Sequence, residues 1–158
     1  MNQVIIKSLL IFLFLLTSNC GFKVLNKSTI NNFTIKEVQT SGNKRINYKI
    51  KNNLLINSSK NNENILLINL NTEKIKNIKE KNIKNEITKY QISINANINF
   101  VLMKNNKNYK INASAEGDYL VANNYSSTLS NEKGLIDDLV ENISKDILNA
   151  IRLNLNDI

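Results

Sequence analysis

The chain contains no histidine, no tryptophan and no proline, a single cysteine and only four glycines. Without imidazole, and with one thiol, it cannot build metal sites on His or Cys clusters, Cys-His or Ser-His-Asp nucleophile systems, or a disulfide within the chain. Gly21, Gly42, Gly117 and Gly134 fit neither a Walker-type nor a dinucleotide-type phosphate loop, so ATP and NAD binding are not expected and no cofactor is called for. Acid–base chemistry is left to carboxylates. Glu116 and Asp118 share one face of a strand, which is the ordinary pattern of a solvated strand end. Asp137 and Asp138 point to different sides of a helix and fail as a pair. The expectation is a protein that is not an enzyme.

Three residue types dominate what is present: 32 Asn, 23 Ile and 19 Lys in 158 residues. That bias follows AT-rich coding, so Asn and Lys counts carry little functional weight by themselves. With 42% hydrophobic residues in patterned runs, the chain is expected to fold as one domain. The net charge of +8 is uneven. Residues 21–110 hold 17 basic and 5 acidic side chains, whereas residues 111–158 hold 3 and 8. The basic part either faces an anionic partner or is a solvated surface, since charge excess speaks to association rather than identity.

The first residues carry Lys7 and the apolar run Ser8 to Thr17, too short for the roughly 20 apolar positions of a bilayer-spanning helix. Residues 1–19 therefore read as a signal peptide. The run passes into Leu16-Thr17-Ser18-Asn19-Cys20, which resembles a bacterial lipobox, with Thr17 and Asn19 at places where such boxes carry a branched aliphatic and a small residue. The resemblance implies that Cys20 becomes the acylated first residue of the mature chain. Gly21 after the cysteine implies sorting to the outer membrane, lipid-anchored on the periplasmic side, which excludes nucleic acid as a partner. Three acyl chains exceed the two signals that stable anchoring requires. Asn26, Asn32, Asn57, Asn112, Asn124 and Asn142 head Asn-x-Ser/Thr triplets, which an Asn-rich chain produces by chance.

After a lipidated N-terminus and tether over 20–32, residues 33–158 read as a single domain. Phe33 to Val38 predicts a first strand. Thr40 to Asn43 supplies turn and cap chemistry, and Ile46, Ile50 and Leu54 recur at i, i+4, i+8, predicting an amphipathic helix over 43–57. Ile65 to Thr72 reads as a second strand, and strand, helix and strand in succession suggest a crossover between parallel strands in a ferredoxin-like or related layer. The segment 74–89 reads as a polar loop with six lysines. Tyr90 to Phe100 alternates apolar and polar residues throughout; a turn at Lys104 to Lys107 leads into Tyr109 to Tyr119, so the two form a long hairpin. Ser130 or Asn131 can cap a last helix whose apolar stripe includes Ile136, Leu139, Val140, Ile143, Ile147 and Ile151. Its early acids Glu132, Asp137 and Asp138 and later cations Lys145 and Arg152 suit the helix dipole. The fold class is α+β: βαβββα, a four-stranded mixed sheet with two helices packed on one face.

Cys20-Gly21-Phe22, the strand ITKYQISINANINFVL, its partner KINASAEGDYLVANNYSS and the closing helix LIDDLVENISKDILNAIRLNL together resemble the LPS-assembly lipoprotein (LptE, RlpB-like) family over nearly the whole mature chain. The resemblance implies an outer-membrane lipoprotein that plugs an LptD-type β-barrel, supports its assembly and takes part in lipopolysaccharide delivery. It also implies basic residues that contact lipid A phosphates in the loop before the strand beginning at Tyr90, where Lys81 and Lys84 lie, and in the loop before the last helix, where Lys133 lies. For each of these lysines taken alone, an exposed solubilising side chain is the preferred reading. The competing reading is an auxiliary outer-membrane lipoprotein of a phospholipid-transport complex, with the same order of elements.

The thioether of a lipoprotein forms only on the lipobox sulfur. Cys20→Ala is therefore expected to abolish both signal cleavage and incorporation of labelled palmitate. Palmitate still entering the variant would exclude acylation at this position.

Overall fold

The computed structural model describes residues 32–156; the signal peptide, Cys20 and nearly all of the tether lie outside the described residues. The elements run β1 (Thr34–Gly42), α1 (Lys44–Ile56), β2 (Ile65–Lys81), β3 (Ile87–Leu102), β4 (Lys107–Leu120) and α2 (Tyr125–Asn156). They make one four-stranded sheet in the order β1-β2-β3-β4, with β1 parallel to β2 and the other pairs antiparallel. This is the expected α+β arrangement βαβββα. It is not ferredoxin-like, because β1 and β2 pair directly instead of being split by an intervening strand.

Alternation places Leu66, Ile68 and Leu70 of β2, Ile92, Ile94, Ile98 and Phe100 of β3, and Ile111 of β4 on one buried face. Both helices cover that face. Ile46, Ile50 and Leu54 of α1 are fully or almost fully buried, as are Ile143, Ile147 and Ile151 of α2, which matches the 3.6-residue spacing. Phe100 stacks on Tyr109 with centroids 4.8 Å apart.

The turn from β1 into α1 is closed by polar atoms. Gly42 adopts φ +85°, and the Oδ1 of Asn43 accepts from the Ile46 N–H at 3.1 Å as the helix cap. Buried Asn47 then ties three elements together. Its Nδ2 donates to the Ser41 carbonyl of β1 at 2.6 Å, and its Oδ1 accepts from the Thr72 hydroxyl of β2 at 2.8 Å. Asn43 N–H donates to the Thr72 carbonyl at 2.9 Å.

Three boundaries differ from the sequence reading. β1 runs on to Gly42 because residues 39–42 pair with 69–72 of β2. β2 does not stop at Thr72 but continues to Lys81, so the segment 74–89 is the end of β2 and the start of β3 joined by a turn over 82–86. α2 starts at Tyr125, not after Ser130. Asn124 Oδ1 accepts from the Ser127 N–H at 2.7 Å, and the Thr128 hydroxyl accepts from the Ala122 N–H at 2.9 Å. No acidic residue stands in its first turn, so Glu132 is positioned by something other than the helix dipole.

Two glycines separate backbone need from chance. A Cβ at Gly42 would stand 2.1 Å from the Thr72 carbonyl oxygen and at a left-handed φ, whereas one at Gly134 would meet nothing within 4 Å. Gly42→Ala is therefore expected to cost about 2–4 kcal/mol, and Gly134→Ala, in the middle of α2, to add about 0.5–1 kcal/mol. Urea unfolding midpoints of the two variants should move in opposite directions.

Candidate functional site

The inner face of the sheet changes chemistry where α1 begins. As far as Thr72, β2 is roofed by this 13-residue helix and carries Leu66, Ile68 and Leu70. Beyond Thr72 the inward places go to Lys74, Lys76 and Ile78, opposite Ile94, Ile92 and Tyr90. Of the two helices only α2 reaches this far along the sheet, and it contributes Glu132. The Nζ of Lys76 lies 2.7 Å from Glu132 Oε2 and Lys74 Nζ lies 3.4 Å from Oε1. The Tyr119 hydroxyl donates to Oε2 at 2.8 Å. Tyr90 stacks on Tyr119 with centroids 5.6 Å apart, and the Lys76 ammonium sits 4.2 Å from the Tyr90 centroid.

Burial works against the charge on Glu132, and the hydrogen bonds from Lys76 and Tyr119 outweigh it, leaving the carboxyl below the ordinary carboxylate range. Burial likewise opposes the charge on Lys76, but hydrogen bonds to Glu132 and Tyr119 raise its ammonium above the ordinary value. Tyr119 is pushed up, first by burial and further by its bond to Glu132, against the pull of Lys76. All three shifts lead away from neutrality. That is the direction of a permanent ion pair and the opposite of a group poised for general acid or base work. Among the described residues no cluster of three or more potential metal ligands occurs.

The lysines named from the sequence do not form one site. Lys81 closes β2, with its Nζ 3.0 Å from Asn85 Oδ1, and Lys84 lies in the β2–β3 turn. Lys133 is not in a loop; it stands on α2 and lines a cleft of about 210 Å³ with Asn43, Arg45, Lys74 and Glu132. Lys74 and Lys81 are seven residues apart on one strand, about 23 Å at strand rise, so Lys133 and the hairpin lysines serve different places. Arg45, Lys74, Glu132 and the two tyrosines escaped the sequence reading. The alternation of β3 and β4 already put Tyr90 and Tyr119 on the buried face, and Lys74 and Lys76 at i, i+2 would have completed the cluster had the strand been followed past Thr72.

Part of the lysine excess has a plain structural use. β1 stops pairing at Thr72, so among the described residues positions 73–81 of β2 form an open edge. Lys74, Lys76, Lys79 and Lys81 stand along it, and lysine on an edge strand discourages a further chain from pairing there. Lys79 also reaches Asp118 at 4.0 Å, while Glu116 accepts from the Ser93 hydroxyl at 3.5 Å.

The face of the sheet away from the helices is amide-rich. Cross-strand rows run Gln39-Asn69-Asn99-Lys110 and Ser41-Asn71-Asn97-Asn112. Over these rows lies an open concavity of about 590 Å³, and among the described residues Lys110 is its one charged lining side chain. Such a face offers many donors and acceptors without desolvating ions. A second groove of about 650 Å³ separates α1 from α2, crossed by the Lys49–Asp137 ion pair and by the Asn53 Nδ2 to Ser144 Oγ bond at 3.1 Å.

No protein-family model matches this chain, and no curated protein matches it. Solved structures do share its fold. Rare lipoprotein B from Shewanella oneidensis is similar with a TM-score of 0.57 at 11% sequence identity, over 76% of this chain and 98% of that one. A chain described as a lipoprotein from Caulobacter crescentus gives a TM-score of 0.55 at 10% identity, over 75% of this chain and 90% of that one. At such identities the likeness is one of fold.

Because the Glu132 carboxyl is depressed in the folded state, its stabilisation is complete above the ordinary carboxylate range and is lost as pH falls below that range. Glu132→Gln is expected to cost about 1–2 kcal/mol at neutral pH through weaker bonds to Lys76 and Tyr119. The gap between variant and parent should close on acidification below about pH 4. Denaturant unfolding at several pH values measures both effects.

Proposed function

We propose that this protein is an outer-membrane lipoprotein, acylated at Cys20 and held on the periplasmic side, that seats in the lumen of an LptD-type β-barrel, supports that barrel's assembly and takes part in lipopolysaccharide delivery. The observation that carries the reading is the open, amide-rich sheet face. A barrel lumen is hydrated and polar, and a surface of neutral Asn, Gln and Ser side chains can exchange water-mediated hydrogen bonds there without burying ions. The fold shared with rare lipoprotein B supports the same reading, as does a core in which both helices pack on one face and leave the other free. In this role the protein performs no catalysis and needs no cofactor. Lys81 and Lys84 at the hairpin and Lys133 beside Arg45 and Lys74 meet lipid A phosphates at two separate points.

The test is what the protein brings with it and what its loss does. Extraction in mild detergent is expected to copurify a large outer-membrane β-barrel, and depletion is expected to lower the amount of assembled barrel and leave lipopolysaccharide short of the cell surface. Copurification of inner-membrane transport proteins, with surface lipopolysaccharide unchanged on depletion, would instead assign the chain to a phospholipid-transport complex.

A further inference from the structure

The turn that joins β2 to β3 is rigid, and it holds a bare aliphatic side chain outward. Asn82 organises it. Its Oδ1 accepts from the N–H groups of Lys84 at 2.9 Å and Glu86 at 3.0 Å, and its Nδ2 donates to Glu86 Oε2 at 2.7 Å. The backbone closes with Asn82 N–H to the Glu86 carbonyl and Asn85 N–H to the Asn82 carbonyl, both 2.9 Å, with Asn85 at φ 63°. Ile83 is the residue displayed, with a relative exposure of 104%. Among the described residues nothing packs on it. A turn so fully hydrogen-bonded cannot fold Ile83 back, and its neighbours Lys81 and Lys84 bracket it with positive charge.

The surroundings continue this pattern. Ile78 on the same hairpin, Leu120 and Val121 at the end of β4, and Tyr125 at the start of α2 are exposed as well. Val121 N–H donates to the Thr88 carbonyl at 2.9 Å, which fixes the end of β4 beside the hairpin. Apolar side chains protruding among lysines match the boundary of an anionic lipid layer, where aliphatic groups enter the acyl region and ammonium groups meet phosphates. Preorganisation favours insertion, since the backbone of the turn is already closed by its own hydrogen bonds.

We propose that the β2–β3 hairpin is a second membrane contact, in which Ile83 inserts into the acyl region of an anionic phospholipid leaflet while Lys81 and Lys84 engage its phosphates. The contact is independent of the barrel reading, because it is a property of the protein before any partner covers this end.

The chain has no tryptophan, so Ile83→Trp installs a single reporter at a position with no packing to disturb. In the full chain incorporated into vesicles containing phosphatidylglycerol, the indole emission of the Ile83→Trp variant is expected to shift to the blue and to be quenched by brominated acyl chains. In vesicles of phosphatidylcholine alone the quenching should be weak. Adding Lys81→Gln and Lys84→Gln should reduce it in the anionic vesicles. Tyr48→Trp, on the exposed side of α1, should stay unquenched in both. In a second, tryptophan-free measurement, Ile83→Asp should lower vesicle partitioning of a chain beginning at residue 21, which carries neither the apolar run nor the acylated sulfur, by about tenfold or more, as expected for losing one buried aliphatic side chain. Equal quenching at positions 48 and 83, no quenching at 83, or quenching only after lipopolysaccharide is added would each overturn the proposal. Copurification of the barrel is read separately, so failure here leaves that test unaffected.

Discussion

The inner face of a sheet whose central strands have 16 and 17 residues is covered by helices of 13 and 32 residues, and the mismatch between the helices shapes the molecule. An apolar sheet face is stable only where something packs on it. Over β1 and the first half of β2 that cover is α1, and the strands beneath it are leucine and isoleucine. Past Thr72, beside which α1 begins, there is no α1 cover, β1 has no more residues to pair, and among the described residues β2 stands with one edge and part of one face open. Lysine takes the places where leucine stood.

Two polar clusters hold the two regimes. At the seam, Asn43, Asn47 and Thr72 bind the end of β1, the start of α1 and the middle of β2 through hydrogen bonds, of which the one between Asn47 and Thr72 is buried. Farther along, Glu132 gathers Lys74, Lys76 and Tyr119, so the α2 half of the cover is fastened to the uncovered half of β2 by charge instead of by apolar contact. The pair of stacked tyrosines beneath supplies the apolar floor. Electrostatics here does the positioning that hydrophobic burial does at the other end, and it becomes sensitive to acid for that reason.

The same division separates the surfaces. The face opposite the helices carries no helix, and its rows across the four strands are amide at three of four places, completed by Lys110 and Ser41, because the side chains there answer only to water or to a hydrated partner. The hairpin end, lying beyond the core, is where cation and exposed aliphatic side chains occur together. The lysines of β2 and the β2–β3 turn, with Lys133, therefore fall in three places with different roles: an edge to be protected, a cleft shared with Glu132, and a tip.

Elements whose periodicity comes from packing along their length are legible in the amino-acid order. β3 alternates in burial from Ile92 onward because one of its faces lies in the core, and the stripes of Ile46, Ile50 and Leu54 and of Ile136 to Ile151 are legible because each packs on that core. The cap at Asn43 was also legible, being local. Only the tertiary structure decided the rest. β2 was cut short in the reading because alternation of apolar and polar residues marks burial, and its second half is a strand held by hydrogen bonds to β3 without burial to mark it. The start of α2 was read late because its first turn, around Tyr125 and Leu129, overhangs the core and carries no inward stripe. Strand order, the separation of Lys133 from Lys81 and Lys84, and the meeting of Glu132 with Lys76 and Tyr119 depend on contacts between residues far apart in the chain, which no local pattern encodes.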